Sequence, residues 1–352
     1  MPEAKSTADK VMAELSTVIE PELHRDLVTL NMIHDLKIEG NKASFTVMLT
    51  TPACPLKDLI GREAREAALR VPEISEVEVR FDANVPSNPR VMGRMNLNIK
   101  HLIAVSSGKG GVGKSSIAAN LAIALAQMGA SVGLMDADIL GPNIPTMMGV
   151  DRMPAPQGEK LTPAEAFGVK IMSMGFLVDP DKPLIWRGPM LHGAIRQFFS
   201  DVNWGSLDYM VIDLPPGTGD AQLTLAQSVP LTGAIIVTQP MEVAVSDALR
   251  GLAMFEHVNV PIIGVIENMS GEFFGTGGGQ RLAEKRGVPF LGSVPLDPKV
   301  REGGDAGTPV AATAPDSPAA QALRQIAQEV AARVSVITFQ QNDNIIPLTT
   351  IG

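Results

Sequence analysis

The segment that most constrains this chain is Leu102-Ile-Ala-Val-Ser-Ser-Gly108-Lys109-Gly110-Gly111-Val112-Gly113-Lys114-Ser115-Ser116. An apolar run ends in a glycine-rich bend, and helix-compatible residues follow. Gly108, Gly113, Lys114 and Ser115 fit the Walker A spacing of a phosphate-binding loop. Bare glycines let the backbone curl until its amides face one point, where any Cβ would block a phosphate. A helix starting at Lys114 adds the positive end of its dipole. Lys114 offers a charge to the terminal phosphates, and the Ser115 hydroxyl is a ligand for Mg²⁺. Gly108, Gly110 and Gly113 also fit a dinucleotide fingerprint, with Asp136 about 20 residues on as the ribose acid. Lys114-Ser115 directly after the last glycine has no task in a dinucleotide site. It has one with a triphosphate and Mg²⁺, so ATP is the expected ligand.

Two further strand ends carry acids in the order such chemistry needs. Asp136-Ala137-Asp138 closes one apolar run, where one carboxylate would serve Mg²⁺ through water and the other position an attacking water. Taken alone, the pair also reads as solvated turn acids. Tyr209-Met-Val-Ile-Asp213-Leu-Pro-Pro-Gly217 is an apolar strand ending in an acid, a Walker B pattern with a glycine switch behind it. By itself Asp213 also reads as a strand cap.

The rest of the pattern predicts an α/β fold. It has a doubly wound, mainly parallel sheet of P-loop NTPase type, preceded by a small α+β domain. Expected boundaries are a small domain over 1–85, a Pro/Asn/Gly-rich linker over 86–99, the ATPase domain over 100–337 and a loose tail over 338–352. In the small domain the periodicity predicts a helix over 6–18, a hairpin of strands 30–38 and 42–50, a helix over 55–71 and a strand over 77–81. Beyond the linker, apolar runs at 102–105, 131–135, 169–172, 210–212, 234–237 and 262–266 read as strands buried on both faces. Residues 317–336 predict a closing helix. The glycines 277–279 read as a flexible loop before a helix, with an anion nest as the alternative.

Composition narrows the function classes. With 45% hydrophobic residues the chain can bury a sizeable core. Its net charge of −9, with no Lys/Arg block, argues against nucleic acid or an anionic membrane as partner. The start of the chain mixes charges and lacks a long apolar stretch, so neither a signal peptide nor a spanning helix is expected. The one cysteine, Cys54, forms no internal disulfide, and a cytoplasmic location is the expectation. With five scattered histidines, a structural zinc site is not expected.

Lys109-Gly-Gly-Val-Gly-Lys114-Ser115 resembles the deviant Walker A loop of the MinD/ParA-like ATPases. Further segments are similar to the Mrp/ApbC group of iron–sulfur cluster carrier ATPases within that class. They are Asp136-Ala-Asp-Ile-Leu-Gly-Pro-Asn143, Trp186-Arg-Gly-Pro-Met190, Asp213-Leu-Pro-Pro-Gly-Thr-Gly-Asp220, Thr238-Gln-Pro240 and Glu267-Asn-Met-Ser270. Residues 1–85 resemble the small domain found in iron–sulfur assembly factors, with Thr51-Pro-Ala-Cys54-Pro55 as the marker.

The resemblance implies an ATP-hydrolysing homodimer that assists cluster assembly or transfer to apoproteins, working with iron–sulfur assembly factors. It implies that Lys109 reaches the partner's phosphates, that Ser115 and Asp136 serve Mg²⁺, and that Asp138 orients the hydrolytic water. Asp213 would close the Walker B strand, and Asn268 would face the adenine.

One departure matters. Members that bridge a 4Fe–4S cluster carry Cys-x-x-Cys shortly after Asn-Met-Ser, and here that stretch reads Asn268-Met-Ser-Gly-Glu-Phe-Phe-Gly-Thr-Gly-Gly-Gly279. A regulatory or adaptor ATPase without cluster chemistry therefore stays open as the alternative. Cys54, just before Pro55, is read either as a thiol activated at a helix start and able to ligate metal, or as a small residue in a tight turn. Arg187 is read as a switch or dimer contact, or as a surface arginine.

Overall fold

Strict apolar/polar alternation over Lys42–Leu49 builds the middle strand of the N-terminal sheet, with every second residue buried. The computed structural model describes residues 6–88, 91, 98–138, 141–156, 158, 160–176, 188–217 and 219–343. The chain divides into two units, Met1–Pro86 and Ser87–Gly352.

In the first unit α1 (Thr7–Leu15) starts at a capping box formed by Ser6 and Asp9. The short strands β1 (Ile19–Glu20) and β2 (Arg25–Asp26) pair with each other. β3 (Ile33–Glu39) and β4 (Lys42–Leu49) form the expected hairpin, turning at Gly40 with φ 61°. α2 (Lys57–Leu69) then carries the chain over to β5 (Glu76–Ala83), which lies parallel to β4. The strand expected from residue 30 begins at Ile33. Asp26 to Asn31 is a turn instead: Asp26 accepts the Thr29 amide, and Asn31 is left-handed. Val11, Leu15, Phe45, Val47, Ile60 and Ala64 fill the core of this unit.

The strands of the second unit are β6 (Ile99–Ser107), β7 (Val132–Asp136), β8 (Ala164–Ala166), β9 (Val169–Ser173), β10 (Leu207–Asp213), β11 (Gly233–Thr238), β12 (Ile262–Ser270) and β13 (Phe290–Pro295). They form one sheet in the order β13-β12-β11-β6-β10-β7-β9-β8. All neighbours are parallel except the β8–β9 pair at the edge. Its helices are α3 (Lys114–Gln127), α4 (Ile144–Met147), α5 (Gly188–Ser200), α6 (Asp220–Ser228), α7 (Glu242–His257), α8 (Gly278–Arg286), α9 (Pro298–Ala306), α10 (Val310–Thr313) and α11 (Pro318–Asp343). One set, α3, α4, α9, α10 and α11, packs together; α5, α6, α7 and α8 pack as another. Strands sandwiched between two helical layers need apolar residues on both sides, which is why β7 and β11 are buried throughout.

Two expected boundaries change. The linker is not free where it is described. Val91 is buried in the second unit's core, and the Asn88 side chain donates to Gln341 at 3.0 Å. The tail expected from residue 338 is helical as far as Asp343. Ser335 and Thr338 return their hydroxyls to the carbonyls one turn back, and Thr338 is fully buried. Residues 344–352 lie outside the described residues. Among those described, no helix is long and apolar enough to cross a membrane.

Candidate functional site

β6 lies at the centre of the sheet, between β11 and β10, so the loop that leaves it is held from both sides. Gly108 packs without clearance against the α7 backbone at Asp247 and Ala248. Gly111 and Gly113 are left-handed, with φ 81° and 82°, a conformation that suits glycine. Gly113 caps α3, and no side chain takes the first-turn amides. Those amides therefore remain available to an anion. Ser107 donates to the Lys109 carbonyl at 2.9 Å, and the Gly217 amide donates to the Ser107 carbonyl at 3.0 Å. The Asp213–Gly217 segment is thus tied to the glycine loop.

A cavity of about 490 Å³ opens over this loop, lined by Lys109, Gly110, Lys114, Ser115, Asp138 and Pro216 among others. Ser116, Asn143, Met147 and Met269 also line it, and they continue into a second cavity of about 270 Å³ bordered by Asn268, Leu296, Val300 and Arg301. A cavity carrying Lys109, Lys114 and Ser115, beside one walled by Met147, Leu296 and Val300, suits a polyphosphate carrying a flat apolar base.

The acids divide their work. Register sets Asp136 of β7 directly beside Asp213 of β10. Asp136 accepts from the Asp138 amide (3.1 Å), the Ile144 amide (3.2 Å) and the Ser173 hydroxyl (3.0 Å), so its oxygens hold the loop after β7. Burial, then the neighbouring Asp213 charge, pushes its carboxyl up to about 7. Asp213 is fully buried and bonds Lys114 Nζ at 2.5 Å. Burial raises its carboxyl too, against the opposing pull of Lys114. Its Oδ2 has no hydrogen-bond partner among the described residues. An orphaned buried carboxylate oxygen is costly, and with the nearby Ser115 hydroxyl it suits the hydration shell of a divalent cation. Asp138 reaches the cavity wall while accepting the Gly141 amide at 3.2 Å.

The loop residues 108–116 and the acids Asp136, Asp138 and Asp213 are thus brought to one strand-end edge. Asn268 borders the second cavity, but its amide donates to the Val112 carbonyl at 2.8 Å, gripping the glycine loop from behind. Cys54 lies in the first unit. Burial pushes its thiol up to about 11, the opposite of an activated helix-start thiol. α2 begins only at Lys57, and the carboxylates of Glu22 and Glu20 also disfavour the thiolate. Arg187 lies outside the described residues. Among the described residues no group of three or more His, Cys, Asp or Glu is placed to hold a metal ion.

The sequence shows Glu267 only as the first residue of the Glu267-Asn-Met-Ser270 motif. Fully buried in the C-terminal half of β12, it accepts the Gly277 and Gly279 amides at 3.0 and 2.8 Å. The triple glycine is therefore an anion nest filled by the chain's own carboxylate, and α8 starts at Gly278 where a flexible loop was expected. An acid inside a buried strand, ten residues before three glycines, was the available signal.

The raised Asp136, Asp213 and Glu20 carboxyls have one consequence. A carboxyl raised by folding keeps its proton in the native state after the unfolded chain has lost it. Native stability from Asp136 is complete below the ordinary carboxyl range and is lost as pH rises through about 7; Asp213 and Glu20, raised as well, act in the same direction. The melting temperature of nucleotide-free protein should fall between pH 5 and pH 8, and Asp136→Asn should flatten that slope. Melts across this range check it; a rising melting temperature would contradict the assignment.

Residues 98–331 match the family described as NUBPL iron-transfer P-loop NTPase, and residues 8–81 match iron–sulfur cluster assembly protein. An iron–sulfur cluster carrier protein of Synechocystis sp. is 50% identical over 347 residues, covering 94% of this chain and 98% of that protein. One from Deinococcus radiodurans is 47% identical, covering 97% and 99%. Among solved structures, a nucleotide-binding protein from Archaeoglobus fulgidus in complex with ADP is 37% identical with a TM-score of 0.54, over 62% of this chain and 90% of that one.

Proposed function

Because this chain belongs to the iron–sulfur cluster carrier proteins of the P-loop NTPase class, we propose that it binds and hydrolyses Mg–ATP to control transfer of an iron–sulfur cluster to apoproteins. The observation that carries the nucleotide part is convergence. The unfilled amides of the 108–116 loop, Lys114, Ser115 and Asp138 all meet at one cavity. Lys114 moves from Asp213 to the terminal phosphates. Ser115 and Asp213 Oδ2, which has no partner among the described residues, would hold Mg²⁺. Asp136, which the resemblance assigns to the cation, has its oxygens taken by the Asp138 and Ile144 amides and the Ser173 hydroxyl and so fixes the loop behind them. Bound there, Mg²⁺ would supply charge neutralisation for the terminal phosphates. Asp138 orients the attacking water. Lys109 reaches the phosphates of a second copy in a homodimer, and the Met147–Leu296–Val300 cavity takes the base beside Asn268.

The cluster is cargo. Clusters are held by several thiolates, and this chain offers Cys54 alone. A client or an assembly factor must therefore supply the remaining ligands. That same count favours a second reading, a nucleotide-gated adaptor that never touches the cluster. Anaerobic reconstitution with iron and sulfide, with and without an apoprotein client, separates them. Cluster absorbance that appears with the client and transfers faster with Mg–ATP supports carriage; none in either case supports the adaptor. For hydrolysis, Asp138→Ala should lower turnover about a hundredfold while Mg–ATP affinity stays within about threefold, since affinity rests on the loop amides. Turnover near wild type, measured by phosphate release, would remove Asp138 from the water-orienting role.

A further inference from the structure

The strand β12 ends in a set of contacts that nucleotide chemistry does not explain. The Glu267 carboxylate is fully buried and bound on every side. One oxygen accepts the Ser270 hydroxyl (2.9 Å), the Gly277 amide (3.0 Å) and, more distantly, the Ser293 hydroxyl (3.4 Å). The other accepts the Gly279 amide (2.8 Å). These donors come from the end of β12, from β13 and from the start of α8. A buried carboxylate with only neutral donors is a demanding device, since burying a charge is costly. Apolar packing would hold three elements together at less cost.

What Glu267 sits between is more telling. On its C-terminal side, Asn268 grips the Val112 carbonyl and leaves no room for a Cβ on Gly113. Met269 is left-handed, φ 59°, a rare state for a residue with a side chain. Its sulfur accepts from Gln239 at 2.9 Å, and it lines both cavities. Two residues on, the Gly271 and Gly275 backbones exchange hydrogen bonds at 2.9 and 2.8 Å and close a small loop. That loop carries Phe273 and Phe274 edge to face, and Phe273 is 81% exposed. Glu267 clasps both ends of this loop, through Ser270 before it and Gly277 after it. The same short segment therefore touches the phosphate loop at Asn268 and presents an aromatic pair to solvent at Phe273.

We infer that Glu267 is a positioning residue that couples nucleotide occupancy at the 108–116 loop to the placement of the Phe273–Phe274 loop. Any shift of Val112 or Gly113 on phosphate binding moves Asn268. With Glu267 fixing the strand end, that movement passes to residues 271–275 as a unit. Without the clasp, Asn268 and the aromatic loop move independently. The inference rests on nucleotide binding at the P-loop.

The test uses the full chain carrying Phe273→Trp as a fluorescence reporter, with Phe273-intact protein as the tryptophan background. Mg–ATP affinity is measured alongside by calorimetry. At saturating Mg–ATP the reporter should change its emission, and adding Glu267→Gln should cut that amplitude at least threefold even after more nucleotide restores saturation. Ser270→Ala, which removes one donor and leaves the carboxylate nested, should cut it partially, and it serves as the second variant if Glu267→Gln does not fold. A purely structural Glu267 would lower the melting temperature and leave the saturated amplitude unchanged, which overturns the inference. So does a reporter silent to bound Mg–ATP. Absence of calorimetric binding in the wild type instead overturns the nucleotide reading itself.

Discussion

Lys114→Ala will eliminate ATP turnover, by at least about a hundredfold, as expected when a positioned donor is removed from developing phosphate charge. The structure adds a second effect that sequence motifs do not suggest. Lys114 is 6% exposed and its ammonium lies 2.5 Å from Asp213, which is fully buried. Removing it strands a carboxylate with both oxygens unpaired by any cation. Breaking a buried pair from one side costs about 3–5 kcal/mol, unless Asp213 escapes by taking a proton. Burial already raises the Asp213 carboxyl above its ordinary range, and Lys114 opposes that rise. Without the lysine the carboxyl rises further. The variant should therefore approach wild-type stability at mildly acidic pH and fall away from it as pH increases. Lys114→Ala combined with Asp213→Asn should recover the stability at pH 8 and leave turnover absent. Phosphate-release assays and melts at pH 5.5 and 8 separate the two effects. A folded Lys114→Ala protein with turnover within tenfold of wild type would remove the lysine from the phosphate site.

How much of this was legible beforehand follows from the range of the forces involved. The glycine loop, its lysine and its serine are set by local backbone geometry, so spacing alone exposed them. Buried parallel strands were legible because a sheet covered on both faces needs unbroken apolar runs, as in Ala234–Val237 within β11. The end of the last helix was not, because Thr338 reads as a polar residue beginning a tail. Its hydroxyl is satisfied one turn back only once the helix exists. The division between Asp136 and Asp138 depends on Ser173, from a strand 37 residues on, and on the Ile144 amide. Neither is visible from the Asp-x-Asp spacing. Cys54 went the other way. Proline at the next position suggested a helix start and an activated thiol, but the helix opens two residues after Pro55, and burial outweighs the nearby amides. Glu267 was hidden for a related reason: its partners are backbone amides, and a sequence shows only that Gly277–Gly279 could supply them.

The glycines of the loop fill different roles, and single alanines should separate these. A Cβ on Gly108 would fall on the Asp247 carbonyl and next to the Ala248 amide, both in the body of α7. Helix backbone cannot rotate aside as a side chain can, so Gly108→Ala must push the loop or the helix away. Overpacking of this kind typically costs about 1–3 kcal/mol, and displaced amides would no longer converge, so Mg–ATP affinity should fall more than a hundredfold. At Gly110 the nearest atom to a Cβ is on Pro216, 4.0 Å away, and the backbone is not left-handed. Gly110→Ala should leave the melting temperature nearly unchanged, within about 0.5 kcal/mol of stability. It still places a methyl group at the edge of the phosphate cavity, so affinity should drop by about tenfold or more, since an anion must approach the backbone closely. Calorimetry with Mg–ATP and thermal melts on both variants check the pair. Equal melting temperatures for Gly108→Ala and wild type would mean that α7 does not buttress the loop. Undiminished affinity in Gly110→Ala would mean that phosphates approach from elsewhere. Loss of stability at one glycine and of binding alone at the other would show one loop with a rear face fixed by packing and a front face kept bare for its ligand.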